Sequence, residues 1–281
     1  MTVRDDNHLP SAFSDEGMDA FHRFYKTRLG HMTRHLISSK LKTIIDAPSP
    51  SAGKNGKKDD RIAVGLGYAR PYLRLLDSVY GQVIGLQSAG IEAVQWPRKR
   101  PSRMAVVDES QLPVPASSLD TLLLVHALEI APDQPAFLDE CWRVLKSQAR
   151  LVLVVPHRGS MWAGSDTTPF GYGQPYSVNQ IRSMLKTNGF EVGKVHRALA
   201  VPPSHSLLFP RIARLAERFP YLFGGVLIVD ARKMIYSVRG LPVADRKRIL
   251  RPALIGINSG LVPGIDRRIK RQHSKSECSH E

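Results

Sequence analysis

The sequence predicts an α/β fold with a mostly parallel sheet. Apolar runs at 104–107, 121–125 and 151–155 have the length and composition of buried strands. Between the last two lies a segment at 133–145 whose apolar residues recur at helical spacing. Strands that alternate with a helix form βαβ units, because a parallel connection must cross from one end of the sheet to the other. We therefore expect these strands to lie parallel in one sheet.

The same alternation starts earlier, with a predicted strand at 61–64. A glycine turn that contains Gly65 and Gly67 follows this strand, and a helical pattern occupies 71–79. Glycine lets the backbone approach a ligand closely, and the start of a helix offers free N–H groups. The turn is therefore a candidate binding site.

A long loop that is rich in glycine and aromatic residues follows the strand at 151–155. Loops at the carboxyl ends of parallel strands form the ligand crevice in open α/β sheets. We therefore predict that this loop is a lid that faces the substrate, with Asp166, Tyr172 and Tyr176 as candidate contacts.

The last predicted elements complete the sheet. Ser177 and Gln180 form a capping-box pattern for a helix. Strands are expected at 190–195 and 225–236.

Two segments flank the sheet domain. Residues 13–45 show the pattern of one or two amphipathic helices, which we expect to pack on the edge of the sheet or over its cleft. The predicted organisation is a helical extension and linker at 1–60, a sheet domain at 61–240 and a basic extension at 241–281.

The net charge of +15 indicates an anionic partner, such as nucleic acid or phospholipid headgroups. A solvated basic surface on an ordinary enzyme is the alternative. The chain of 281 residues has two cysteines, which are too few for a disulfide framework or a cysteine metal cluster. Apolar runs are too short to span a membrane, so we expect a cytoplasmic protein.

A group of short motifs carries a family resemblance. An acid, Asp108, follows the third strand, and Leu112-Pro113, Leu119-Asp120 and Arg143-Val144-Leu145 come after it at consistent spacing. In these features the chain resembles the Rossmann-like S-adenosylmethionine-dependent methyltransferases of type 11, over roughly residues 61–195. The resemblance implies a seven-stranded sheet with helices on both faces, whose last strand lies antiparallel between strands five and six.

The resemblance also implies a cofactor site. The glycine turn would hold the methionyl part and ribose of S-adenosylmethionine. A second strand is predicted at 82–86, and Gln87 at its end would bind the ribose hydroxyls. Asp108 would accept from the adenine amino group. The implied cofactor residues are Gly65, Gly67, Gln87, Asp108, Glu109 and Leu112. The methyl acceptor is not indicated.

Three positions depart from the family pattern. Ala63 and Ala69 replace an acid and a glycine around the turn, and Gln87 replaces the ribose-binding acid. Glutamine can still form a hydrogen bond, but without the assistance of a charge. A second hypothesis is therefore a methyltransferase-fold binding module with weakened cofactor binding. A nicotinamide dehydrogenase is disfavoured, because Arg70 and Gln87 break its fingerprint.

His126 is the candidate catalytic residue, because it follows the fourth strand on the cleft side. A histidine can act as a general base near neutral pH. The alternative is a histidine that is bonded to backbone, and Glu129 would orient the ring only if the segment is helical. No metal-ligand spacing stands out.

Overall fold

A computed structural model describes residues 15–47, 60–88, 95–97, 101–165, 168–171, 173–200 and 224–234. The strands are β1 Ile62–Gly67, β2 Gln82–Ser88, β3 Met104–Val107, β4 Leu119–Val125, β5 Leu145–Pro156, β6 Phe190–Ala198 and β7 Val226–Lys233. The helices are α1 Asp15–Tyr25, α2 Arg28–Ile45, α3 Leu73–Asp77, α4 Gln134–Val144 and α5 Val178–Thr187.

The strands form one seven-stranded sheet in the order β3-β2-β1-β4-β5-β7-β6. The pairs among β1 to β5 are parallel, whereas β7 is antiparallel to both β5 and β6. This arrangement confirms the predicted α/β fold, including the position of the last strand.

The centre of the sheet is its most deeply buried part. Every residue of β4 is buried, which suits a parallel strand that is covered on both faces. The edge strand β3 is different, because Ala105 and Val106 are exposed. The continuous apolar run at 121–125 therefore marks the core, while the shorter run at 104–107 marks an edge.

Two helices begin at the residues that the sequence indicates. The Asp133 carboxylate accepts a hydrogen bond from the Ala136 N–H at 2.9 Å. Ser177 and Gln180 form the predicted capping box through reciprocal side-chain bonds to each other's backbone N–H. These bonds satisfy N–H groups that the first turn of a helix leaves free.

Two boundaries differ from the sequence prediction. Strand β1 extends through both glycines, because its parallel pairing continues as far as Gly67 opposite Val125. Strand β5 begins at Leu145, earlier than the apolar run at 151–155 that predicts it. Gln148 has a positive φ of 60°, and the pairing register shifts in this region, so the first part of the strand is irregular.

The N-terminal helices pack on the sheet domain. Arg150 of β5 is buried, and its Nη1 donates to the Ile44 carbonyl at 3.0 Å and to the Ala47 carbonyl at 3.3 Å. The Arg150 Nε lies 3.2 Å from a carboxylate oxygen of Asp230 on β7. The arginine therefore fastens the C-terminal end of α2 to the sheet. No helix within the described ranges is long and apolar enough to cross a membrane.

Candidate functional site

The carboxyl ends of β1 and β4 meet at the glycine turn. Gly67 has a φ of +76°, and the Tyr68 N–H donates to the Val125 carbonyl at 2.8 Å. A Cβ on Gly67 would lie 2.5 Å from the Val125 oxygen, and one on Gly65 would lie 2.5 Å from Leu73 Cδ2. Both glycines are therefore required by close packing within the chain, in addition to the ligand contact that the sequence predicts.

The carboxyl ends of β2 and β3 bring two polar candidates to the same edge. Gln87 is buried and is paired in register with Val106. Asp108 is exposed, and its Oδ1 accepts from the N–H and the hydroxyl of Ser110 at 2.9 and 2.7 Å. Asp108 thus organises a turn and is also open to solvent, so this turn is compatible with the predicted contact to the adenine. Glu109 is fully buried.

Leu112 lies in a loop that α4 clamps. Its N–H donates to Glu140 Oε1 at 2.7 Å, and its carbonyl accepts from Arg143 Nη2 at 3.1 Å. Arg143 bonds both carboxylate oxygens of Glu140, with Nη2–Oε1 at 2.6 Å and Nε–Oε2 at 2.7 Å. These bonds hold the pKa of Glu140 below its ordinary value, with the hydrogen bond from Arg143 as the main cause.

Sequence reasoning did not single out Glu140. A signal was available, because Glu140 lies three residues before Arg143 on a predicted helix, which places the two side chains on one face.

His126 is held between two side chains. Its Nδ1 lies 2.9 Å from Glu129 Oε1, and its Nε2 lies 2.9 Å from the Tyr25 hydroxyl. The residues after His126 form a turn rather than a helix, so Glu129 reaches the ring without the helical geometry that was expected to be necessary. The partners are side chains and not backbone. His126 is fully buried in this arrangement.

Aromatic rings from α1 cover this end of the site. Phe21 stacks on His126 at a centroid distance of 4.1 Å, and Tyr25 stacks on Tyr68 at 4.5 Å. Phe170 meets the His126 ring edge-on at 5.4 Å. Burial raises the pKa of the Tyr25 hydroxyl well above its ordinary value. Of the two placements expected for the N-terminal helices, α1 therefore lies over the cleft.

The predicted substrate lid is described only in part. Asp166 and Tyr172 lie outside the described residues. Tyr176 is buried, its hydroxyl lies 3.4 Å from the Leu128 carbonyl, and its N–H donates to the Pro156 carbonyl at 3.0 Å. Burial raises the pKa of Tyr176. Tyr176 thus packs against the interior in this structure, and its contact with substrate stays a prediction.

The residues on the β2 and β3 side suit an adenosine group. A buried glutamine amide can bond ribose hydroxyls, and an exposed carboxylate can accept from an amino group. On the β4 side, by contrast, aromatic rings from α1 occupy the edge. Within the described ranges, no group of three or more His, Cys, Asp or Glu residues could hold a metal ion.

Sequence comparison identifies the central segment. Residues 62–153 match the family described as "Methyltransferase domain". The chain is 32% identical over 85 residues to a probable S-adenosylmethionine-dependent methyltransferase of Mycolicibacterium smegmatis. The aligned segment covers 30% of this chain and 33% of that protein. It is 31% identical over 102 residues to a similarly named protein of Mycobacterium tuberculosis. This aligned segment covers 35% of this chain and 37% of that protein. The chain thus spans about a third of the length of these curated relatives.

Solved structures share the fold. A SAM-dependent methyltransferase from Thermotoga maritima aligns with a TM-score of 0.53 at 16% identity, covering 78% of this chain and 97% of that one. A SAM-dependent methyltransferase from Archaeoglobus fulgidus aligns with a TM-score of 0.50 at 18% identity, and the alignment covers 75% of this chain and 97% of that one.

Proposed function

We propose that this chain, whose residues 62–153 belong to the methyltransferase domain family, is an S-adenosylmethionine-dependent methyltransferase. One observation carries the proposal. Three adjacent strands, β1, β2 and β3, bring Gly67, Gln87 and Asp108 to one edge of the sheet. This is the order in which the family resemblance assigns the methionyl, ribose and adenine contacts.

The cofactor, when bound, supplies an electrophilic methyl group. The backbone around Gly65 and Gly67 would approach its methionyl part, Gln87 would bond the ribose, and Asp108 would accept from the adenine. Glu109 and Leu112 would shape the wall behind the adenine. Transfer of a methyl group to a nucleophile depends mainly on positioning, so these residues contribute by orientation rather than by chemistry.

His126 is the group that could accept a proton from the methyl acceptor. A carboxylate oxygen accepts hydrogen bonds, so the tautomer with its hydrogen at Nδ1 suits the contact with Glu129. In that tautomer Nε2 has a lone pair, which lies 2.9 Å from the Tyr25 hydroxyl. His126 can therefore serve as a base once another group replaces Tyr25.

The proposal is tested by calorimetric titration with S-adenosylhomocysteine. Asp108→Ala should weaken binding about five- to a hundredfold, because it removes one hydrogen bond to the adenine. Gln87→Glu should tighten binding, because a charged acceptor forms stronger hydrogen bonds with the ribose.

Absence of heat and of thermal shift at millimolar ligand, in the native chain and in Gln87→Glu, would overturn the enzyme proposal. The methyltransferase-fold binding module would then take its place.

The proposed partners are a methyl acceptor of unknown class and an anionic molecule or surface, such as nucleic acid, within the cytoplasm. The net charge of +15 supports the anionic partner, together with the exposed Arg28, Lys40 and Lys42 along α2. Retention on an RNA column that falls steeply with salt would support it, and no retention at low salt would refute it.

A further inference from the structure

The part of the cleft nearest β4 is sealed by α1. His126 and Phe21 have no exposed surface, Tyr25 is 2% exposed and Tyr68 is 9% exposed. A methyl acceptor cannot reach the His126 ring past these side chains. The candidate base and the route to it are therefore closed by the chain itself.

The attachment of α1 differs from that of α2. The sheet holds the C-terminal end of α2 through Arg150, whereas α1 contacts the domain through Phe21, Phe24 and Tyr25. An isolated helix of 11 residues is marginal in water, so α1 depends on these contacts. The Tyr25 hydroxyl adds a polar contact between α1 and the sheet domain, because it bonds His126 Nε2 at 2.9 Å.

A short corner at 26–27 joins α1 to α2. The Thr27 hydroxyl accepts from the Gly30 N–H at 3.0 Å and donates to the Phe24 carbonyl at 2.7 Å. A Cβ on Gly30 would collide with the Phe24 carbonyl. The position of α1 is therefore set by a short turn that follows Tyr25 and by a tight backbone contact.

The closed arrangement contains an unsatisfied carboxylate oxygen beside His126. Glu129 Oε2 is buried and, within the part of the chain that the structure describes, has no hydrogen-bond partner. A buried carboxylate oxygen without a donor disfavours the state that contains it. Opening of α1 would let water or a ligand reach this oxygen.

We propose that α1 is a gate over the methyl-transfer end of the cleft and that the Tyr25–His126 hydrogen bond is its latch. Cofactor and acceptor occupy this end after α1 moves about the turn at 26–27. The identity of the ligand rests on the proposed function, whereas the gate itself rests on the packing of α1.

When only a fraction of the molecules is open, the apparent affinity for a ligand is the intrinsic affinity multiplied by that fraction. Tyr25→Phe keeps the ring but removes the latch, so it should raise that fraction. We expect S-adenosylhomocysteine to associate faster with this variant and to bind about three- to tenfold more tightly, as loss of one buried hydrogen bond implies.

The matched control is Tyr80→Phe. The Tyr80 hydroxyl forms a buried hydrogen bond to the Thr121 hydroxyl at 2.7 Å, near the amino end of the same strand β4. This variant loses the same chemical group away from the gate, so its affinity should stay at the native value. Weaker binding in Tyr25→Phe, or binding that equals the control, would overturn the gate.

Hydrogen exchange of the α1 backbone provides a second measurement that needs no ligand. Exchange at 15–25 should be faster in Tyr25→Phe than in the native chain and in Tyr80→Phe, and it should rise in the native chain when S-adenosylhomocysteine is added. Protection on ligand addition would make α1 a fixed wall of the pocket and would contradict the gate.

The two proposals fail separately. If no variant binds S-adenosylhomocysteine, the proposed function fails, and faster α1 exchange in Tyr25→Phe still supports the gate. If exchange in Tyr25→Phe equals that of Tyr80→Phe, the latch is refuted whatever the ligand. Gly30→Ala, which displaces the corner, should reproduce the effect of Tyr25→Phe without altering any ring.

Discussion

The two halves of the candidate site lie on one edge of the sheet and have opposite character. On the β1 and β4 half, Tyr68 and His126 are buried beneath α1. On the β2 and β3 half, Asp108 is exposed, and Ile84 and Val106 are 37% and 48% exposed. The strand ends are thus sealed by aromatic rings of α1 in one half, whereas in the other, reachable half Asp108 is open to solvent beside the buried Gln87 and Glu109.

This difference divides the proposed cofactor site into two parts. The half at β2 and β3 contains the proposed adenosine contacts, whereas the sealed half contains Gly67 and the candidate base. Under the proposed gate, the adenosine part of a ligand meets the first half before α1 moves, and the methionyl part and the methyl acceptor enter afterwards. In the sealed half His126 bonds Tyr25 and Glu129, whereas in the other half Asp108 bonds Ser110 within its own turn.

The largest effect is expected from breaking the sealed half at its backbone. Gly67→Ala forces a positive φ on alanine and puts a Cβ 2.5 Å from the Val125 carbonyl. The free energy of unfolding should fall by about 2–4 kcal/mol, measured by denaturant titration. Gly164→Ala is the control, because no atom lies within 4 Å of the added Cβ. Equal stability of the two variants would contradict the tight contact.

Glu129→Ala should cause a smaller loss of unfolding free energy. This variant tests whether polar contacts stabilise the sealed half. The buried His126 Nδ1–H would lose its acceptor, which costs about 1–3 kcal/mol of unfolding free energy. Glu191→Ala, at an exposed position on β6, should change stability by less than about 0.5 kcal/mol. A neutral Glu129→Ala would mean that aromatic packing alone seals this half.

The smallest effect concerns the loop of the reachable half. Glu140→Gln weakens the clamp on Leu112 and should cost about 1 kcal/mol near neutral pH, since Arg143 is 39% exposed and solvent screens the pair. The folded-state pKa of Glu140 is lowered from 4.5, so its stabilisation is present above that value and is lost as the pH falls through the lowered pKa. The thermal stabilities of the native chain and the variant should therefore converge in acid. If the difference in thermal stability between the native chain and the variant stayed constant with pH, the charge of Glu140 would not be its source.

Much of the fold follows from local patterns in the sequence. Apolar runs marked the strands, Ser177 with Gln180 marked a helix start, and the motifs at 108–145 indicated the family and its sheet order. These features are readable because each depends on neighbouring residues, through strand length, helical spacing and capping. The candidate cofactor residues Gly67, Gln87 and Asp108 lie at the ends of predicted strands, and the family resemblance assigns their roles, which stay predictions.

Contacts between distant parts of the chain were not readable in this way. Tyr25 and His126 are 101 residues apart, and the periodicity of α1 marks Phe21 and Tyr25 as apolar without saying which surface they cover. The bond between Glu129 and His126 depends on a turn with a positive φ at His126. Whether the candidate base is open or sealed is a property of how α1 packs on the sheet, because the side chains that cover it come from a different part of the sequence.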